Sequence, residues 1–144
     1  MWRWVLCIIT LGILSGPTNA RPGVIPTTDP EATIALIESM TRYESDMIGF
    51  AGAPGSTFLE VEALVALGEP ATEYLLRLTR SENPVARVAG IVGLEMQRTS
   101  KARSAIEALL DDQTKLETFE GCLLGQDTVA TYARRALSRL AEEK

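Results

Sequence analysis

Residues 83–98 read N-P-V-A-R-V-A-G-I-V-G-L-E-M-Q-R, and this stretch decides the fold. Asn83 and Pro84 are typical of a helix start, and the apolar residues that follow lie on two faces of one helix. A helix that is apolar on two sides packs against neighbours on both sides, and its alanines and glycines let those neighbours come close. Because valine and glycine are poor helix formers, packing must hold this segment. The sequence therefore predicts a central helix from Pro84 to about Arg98.

Five further segments show a helical period, which makes the predicted fold class all-α. They cover residues 29–43, 57–67, 70–78, 100–110 and 127–140. Each begins with a residue typical of helix starts, namely Asp29, Thr57 in a T-x-x-E capping box, Pro70, Ser100 and Asp127. The glycine-rich residues 49–56 predict a loop. Residues 113–126 lose the helical period, so we expect an insertion there, either a loop or a small hairpin packed over the helices.

The helices repeat as pairs. Leu64–Leu78 is followed by Asn83–Leu94, and Lys101–Asp112 is followed, beyond the insertion, by Asp127–Leu140. Each unit is a helix that ends in a leucine pair, a short polar turn, and a helix of small residues. The leucine pairs of the two units lie 34 residues apart. A period of this length in paired helices indicates an α-solenoid.

Three motifs carry a family resemblance: L-G-E-P-A-x-x-x-L-L at 67–76, N-P-x-x-R at 83–87 and A-R-R-A-L at 133–137. On these motifs the chain resembles the HEAT-repeat family, including its phycobilisome-lyase-type repeats, over roughly 58–140. The resemblance implies a short right-handed stack of about six paired antiparallel helices, with the 29–45 helix capping one end. It also implies a scaffold or binding surface, because only a minority of such repeats occur in enzymes or their accessory subunits.

Composition excludes several function classes. The 144 residues include no His, so the commonest general base and the commonest metal ligand are missing, and we expect no catalytic residue, metal or cofactor. The net charge of −5 argues against nucleic acid as the main partner. The acidic residues of the 111–127 region match no calcium loop in their spacing, and they are typical of helix ends.

Residues 1–20 have the parts of a secretory signal peptide. Arg3 gives a positive start, Val5–Leu14 is an apolar stretch broken only by Thr10 and Gly12, and small residues precede a cleavage site after Ala20. An uncleaved anchor is the alternative, but about ten apolar residues fall short of a hydrocarbon core about 30 Å thick. We therefore expect an extended leader at 21–28, one helical domain at 29–144, and an exported protein, periplasmic or extracellular.

A partner-binding surface is predicted on the second helices of the repeats. Arg87, Ile91, Glu95 and Arg98 follow one another at helical spacing, and the repeat sets Arg134 and Ser138 beside them. In solenoids these helices usually line the concave side, where partners bind. An exposed Ile91 among charges would be the apolar centre of an interface. The alternatives are that Ile91 is covered by a neighbouring helix, that Arg87 braces adjacent turns as the resemblance implies, and that the arginines of 134–139 form a solvated face.

Cys122 would be the one thiol left after cleavage, because Cys7 lies within the signal. Without His it lacks the usual base for catalysis, and its apolar neighbours favour a quietly packed thiol. An intermolecular bridge, and with it a homodimer, or a redox role stays open.

The function that these observations favour is an exported, non-enzymatic module that binds another protein. An accessory or regulatory subunit of an envelope enzyme is the first alternative, and an enzyme is the second. No nucleic acid is expected as a partner, and the membrane is expected to contact only the signal segment before cleavage.

The signal prediction is tested by intact mass. We expect the full-length chain, expressed in its own host with a C-terminal tag, to be recovered with Arg21 as its first residue and a net charge of −6 before the tag, since 13 basic and 19 acidic residues remain. Recovery of the uncut mass from the membrane fraction would favour the anchor instead.

Overall fold

The computed structural model describes residues 23–142, which form six helices and one three-stranded sheet. The predicted signal peptide lies outside the described residues. The elements in chain order are α1 (Pro30–Ser39), β1 (Arg42–Ile48), α2 (Ser56–Val65), α3 (Ala71–Leu78), α4 (Pro84–Gln97), α5 (Ser100–Glu107), β2 (Lys115–Gly121), β3 (Leu123–Thr128) and α6 (Val129–Glu142).

The prediction of an all-α fold is wrong, because a mixed sheet lies beside the helices. Its strand order is β1-β2-β3, with β1 parallel to β2 and β2 antiparallel to β3. The segment predicted to continue the first helix to about Tyr43 instead leaves it after Ser39 and forms β1. The insertion at 113–126 is a hairpin rather than a loop. The hairpin alternative is therefore the right one, whereas β1 was missed because it pairs with a strand more than seventy residues further along the chain.

Helix α4 occupies the centre of the fold, as its two-sided pattern predicts. The Asn83 side chain accepts a hydrogen bond from the Val85 amide at 2.9 Å and so caps the first turn. The helix ends at Arg98, which takes a left-handed conformation with φ 54°. Nine of its residues are buried, all of them between Val85 and Leu94, and α4 contacts every other helix together with β1 and β2.

The helix starts differ from the predicted ones in how they are capped. Asp29 accepts a hydrogen bond from the Ala32 amide, as predicted, but the capping box at Thr57 does not form, because α2 begins one residue earlier at Ser56. The buried Thr57 hydroxyl instead donates to the Arg42 carbonyl at 3.1 Å and accepts from the Glu44 amide at 3.3 Å. A residue expected to cap a helix therefore ties that helix to β1.

The β2–β3 hairpin closes through a two-residue turn, Gly121–Cys122, since Glu120 pairs with Leu123. Gly121 has φ 58°, a conformation that favours glycine and matches the turns typical of two-residue hairpins. Asp127, predicted to cap the last helix, lies in β3. The Thr128 hydroxyl accepts the hydrogen bond from the Thr131 amide in its place.

Close packing of α4 against α3 can be tested at Gly90. A Cβ atom there would lie 2.8 Å from the Thr79 amide nitrogen and 2.9 Å from the Leu75 carbonyl oxygen, both backbone atoms that cannot move aside cheaply. We expect Gly90→Ala to lower the free energy of unfolding by about 1–3 kcal/mol, even though alanine favours helix by roughly 1 kcal/mol. Urea denaturation measures the change.

The matched control is Gly125→Ala in β3, where the added carbon would meet only the Thr118 hydroxyl at an ordinary 3.5 Å. Its effect should stay within about 1 kcal/mol, the span of strand propensities. Equal stability of the Gly90→Ala variant and the unmodified chain would contradict the packing described here.

Candidate functional site: a cleft between the sheet and three helices

A cavity of about 480 Å³ lies between the sheet and helices α2, α4 and α6. It opens where β1 and β2 both end, since parallel strands bring their carboxyl ends to one edge of the sheet. Phe58 and Val92 form part of its apolar wall. Carboxylate, guanidinium and hydroxyl groups make up much of the rest, so the cleft combines an apolar wall with several charged groups.

An irregularity in β1 shapes the cleft. The pairing of β1 with β2 passes from Glu44 opposite Phe119 to Ile48 opposite Gly121, so four steps along β1 match two along β2. The alternation of side chains is lost in between, and Ser45, Asp46 and Met47 all line the cleft. Bulges of this kind often redirect side chains beside functional sites.

The loop after β1 is fixed against the hairpin. The Gly49 amide donates to the Gly121 carbonyl at 2.7 Å, and Ile48 and Ala53 exchange two backbone hydrogen bonds. Gly55 packs so tightly on Glu44 that a Cβ atom would lie 2.3 Å from the Glu44 Cβ. Although its backbone is fixed in this way, the loop exposes the whole side chain of Phe50.

Two tyrosines form the floor of the cleft. The rings of Tyr43 and Tyr132 meet edge to face, with their centroids 5.2 Å apart. The Tyr132 hydroxyl donates a short hydrogen bond to Glu120. The Tyr43 hydroxyl has no hydrogen-bond partner among the described residues, although its side chain is only 3% exposed.

Both tyrosines remain protonated at neutral pH. Burial raises the pKa of Tyr43 above its ordinary value, and the nearby carboxylates of Asp46, Glu120 and Glu95 raise it further. Burial also raises the pKa of Tyr132, as does its hydrogen bond to Glu120. Arg139 lowers the pKa of Tyr43 and Arg135 lowers that of Tyr132, but the net direction is upward, so the cleft floor offers two neutral phenol groups.

The two arginines at the cleft are already paired. Arg139 binds both oxygens of Glu95, at 2.5 Å from Nε and 2.9 Å from Nη2. Arg135 lies 3.0 Å from Asp127 and 3.6 Å from Glu120, with its guanidinium 5.4 Å from the centre of the Tyr132 ring. Asp46 is exposed, and it has neither an ion pair nor a side-chain hydrogen bond within residues 23–142.

The structure brings one of the six predicted partner-binding residues, Glu95, into the cleft. Ile91 is fully buried, so the alternative in which a neighbouring element covers it is the right one, and it cannot be the apolar centre of an exposed interface. Arg98, Arg134 and Ser138 are exposed outside the cleft, and Arg134 donates to the Leu110 carbonyl at 3.4 Å. Whether these three contact a partner stays a prediction.

Arg87 braces two turns. Its Nη1 donates to the carbonyls of Ser81 and Glu82, at 2.7 and 3.0 Å, in the turn before α4. Its Nε lies 2.8 Å from the Asp112 carboxylate, which follows α5. Arg87 therefore connects the turn before α4 to the segment after α5, in agreement with the alternative in which it braces adjacent turns.

Cys122 is exposed at the tip of the hairpin, so the expectation of a packed thiol is wrong. Its apolar neighbours gave a misleading signal, because Leu123 and Leu124 are themselves exposed. An intermolecular bridge or a redox role stays a prediction.

Sequence reasoning missed most of the cleft, including Tyr43, Asp46 and Tyr132. Tyr132 could have been found, because it lies one turn before Ala136 on the apolar stripe of the last helix. Tyr43 is the single buried residue of β1, and most of its neighbours in that strand are polar. No periodicity in the sequence therefore identifies it.

Comparison with known proteins does not assign the cleft. No protein-family model matches the chain, and no curated protein matches it. Among residues 23–142, no three His, Cys, Asp or Glu side chains are grouped as a metal ion would need. In the same range, no helix combines the length and the apolar character that a membrane span requires.

The Arg87–Asp112 pair predicts a pH-dependent stability. Burial alone would raise the pKa of Asp112, but hydrogen bonds from Thr114 and the positive charge of Arg87 outweigh it, so the pKa lies below its ordinary value. A carboxyl group whose pKa is lower in the folded state than in the unfolded state stabilises the fold. The stabilisation is complete above the unfolded-state pKa of about 3.9, and it is lost as pH falls through the folded-state pKa. We expect Asp112→Asn to be less stable than the parent at pH 7.

The difference between the two proteins should shrink as pH falls below about 4, where the parent also loses the charge. Urea unfolding at pH 7, 5, 4 and 3 measures it. The exposed neighbour Asp111, changed to Asn, is the control and should show no such convergence. A stability difference that stays constant over this range would contradict the role of the pair.

Proposed function

We propose that this protein is an exported, non-enzymatic binding module that recognises an extended segment of another protein. In this proposal the HEAT-like helix pairs are the scaffold, and the three-stranded sheet carries the binding edge. The partner's segment adds to the free edge of β3 as a fourth strand, a common mode of peptide recognition.

The observation that supports the proposal is the open edge of β3. The Val129 amide donates to the Thr114 carbonyl at 3.1 Å, so these two residues form a hydrogen-bonded pair. In antiparallel strands such pairs alternate with pairs that are not hydrogen-bonded to each other. By that alternation, the amide and carbonyl groups of Leu124 and Gln126 point away from β2. No described residue pairs with them, so four backbone groups are available for a further strand.

The opposite edge of the sheet is covered and offers no such site. Ile48 of β1 pairs with Ala53, the Ser45 carbonyl accepts from the Gly55 amide at 2.8 Å, and the Glu44 amide donates to Thr57. The asymmetry favours β3 as the edge that receives a partner.

The β3 edge also lacks three of the features that usually prevent strand pairing, and Asp127 is the one charge on the strand. Natural edge strands are protected by lysine, proline or bulges, and β3 has none of these across Leu123–Thr128. Its side chains Leu123 and Leu124 are 76% and 69% exposed. An added strand would cover Leu123 on one face of the sheet and Leu124, beside Phe119, on the other. Main-chain hydrogen bonds would give affinity, and these side chains would give specificity.

An accessory or regulatory subunit of an envelope enzyme would use the same edge, with the enzyme as its partner. Activity of the purified protein alone would instead favour an enzyme.

The proposal is tested by crosslinking in intact cells of the native host. We expect one dominant partner to be captured by the unmodified chain, and its capture to fall at least about tenfold in Leu124→Lys and Gln126→Pro. The lysine places a charge on the apolar edge. The proline removes the Gln126 amide, which points away from β2 and makes no hydrogen bond to it, so the hairpin itself keeps its hydrogen bonds.

Leu36→Lys is the matched control, since Leu36 is an exposed leucine on α1, far along the chain from the sheet edge. It should capture the partner as well as the parent does. Unchanged capture by both β3 variants would contradict recognition at this edge. Recovery of a second copy of the chain alone would contradict recognition of another protein.

A further inference from the structure

We propose that the cleft is a binding site for an organic cation, an ammonium or guanidinium group carried on an apolar stem. The Asp46 carboxylate supplies the counter-charge, and the Tyr43 hydroxyl supplies a second polar contact. This site is separate from the β3 edge and does not depend on partner binding there.

The charges of the cleft favour a cation. Three carboxylates, those of Asp46, Glu95 and Glu120, face two guanidinium groups. Arg139 forms an ion pair with Glu95. Arg135 forms ion pairs with Glu120 and with Asp127, and Asp127 does not line the cleft. The negative charge left without a partner is that of Asp46.

Tyr43 gives an independent indication that the cleft is a built site. Only 3% of the Tyr43 side chain is exposed, and the residue lines the cavity. Its hydroxyl has no hydrogen-bond partner within the described range and is not among the sealed polar atoms, so it is free to bond a group that enters the cleft. An ammonium or guanidinium N–H in the cleft would donate to the phenol oxygen, in a region where three carboxylates favour positive charge.

The bulge in β1 is what places Asp46 beside Tyr43. In a regular strand, residues 43 and 46 would face opposite sides of the sheet. The two additional residues between Glu44 and Ile48 bring both side chains to the same cavity. The local irregularity therefore assembles the two groups on which the proposal depends.

The apolar wall indicates the stem. Val92 and Phe58 line the cavity opposite the charged rim, and the Tyr132 ring lies at the floor. The volume of about 480 Å³ lies within the range of roughly 300–1,000 Å³ typical of small-molecule sites. An aliphatic chain or one aromatic ring would fill the apolar part while the charge stays near Asp46.

An anion would bind less well. To reach Arg139 it would have to displace the bidentate Glu95, and to reach Arg135 it would compete with Glu120 and Asp127. It would also lie in the field of the unpaired Asp46. The arginines therefore orient the carboxylates rather than attract an acidic ligand.

The test is an NMR titration of the purified ¹⁵N-labelled chain with phenethylamine, which is an ammonium on an apolar stem at neutral pH. We expect saturable shifts of the amides of Tyr43, Asp46 and Val92. The neutral analogue 2-phenylethanol and the anion 3-phenylpropionate should bind at least about tenfold more weakly, because a charge-assisted hydrogen bond is stronger than a neutral one.

Two variants locate the site. Asp46→Asn, on an exposed side chain, should weaken amine binding about tenfold or more, and Tyr43→Phe about three- to tenfold. Asp111→Asn removes the same charge from an exposed position outside the cleft and should leave affinity unchanged. The NMR spectra report whether each variant is folded.

The cation could belong to a free amine or to a basic side chain of a protein, and a second arm separates these sources. Tighter cleft binding by N-acetyl-lysine methylamide than by phenethylamine assigns the site to a side chain, and the reverse assigns it to a free amine. The absence of saturable cleft shifts with either compound would overturn the proposal. So would equal binding of the three phenethyl analogues, or equal loss in Asp46→Asn and Asp111→Asn.

Discussion

The close approach of α4 to α3 is the constraint on which the rest of the structure depends. Gly90 and Gly93 leave no room for a side chain, because Leu75 and the Thr79 backbone fill the space that a Cβ atom would take. Only small residues permit this distance, and once it is set, α4 presents its remaining faces to the other helices and to the sheet. Val92 and Glu95, which line the cleft, lie on the same helix. The position of the site therefore follows from packing on the opposite side of α4.

The helical part of the fold was predictable because its signals are local. Asn83 and Pro84 mark the start of α4, Asp29 caps α1, and the two-sided pattern of α4 identifies the central element. Each of these signals depends on residues within a few turns of one another.

The hairpin was one of two alternatives for 113–126, but β1 and the cleft were not predictable because their partners are distant in sequence. Tyr43 is the single buried residue of β1, so the strand lacks the alternation that marks half-buried strands. Thr57 has the pattern of a capping box, yet it bonds to the β1 backbone. The cleft combines side chains from β1, α4, β2 and α6, and no spacing in the sequence reveals that they meet. Glu95 was singled out on helical spacing alone, and its pairing with Arg139 was not anticipated.

The parallel pairing of β1 with β2 has a consequence for the order of folding. Four helices separate the two strands along the chain, and a loop of that length carries a larger closure entropy than the helix pairs it contains. Neighbouring helices form contacts close in sequence, whereas the strand pair needs both distant segments to be positioned first. We therefore expect β1 to join β2 only after the helical core is largely packed. In that order of events, the cleft, which borders both, is completed in the last stage of folding.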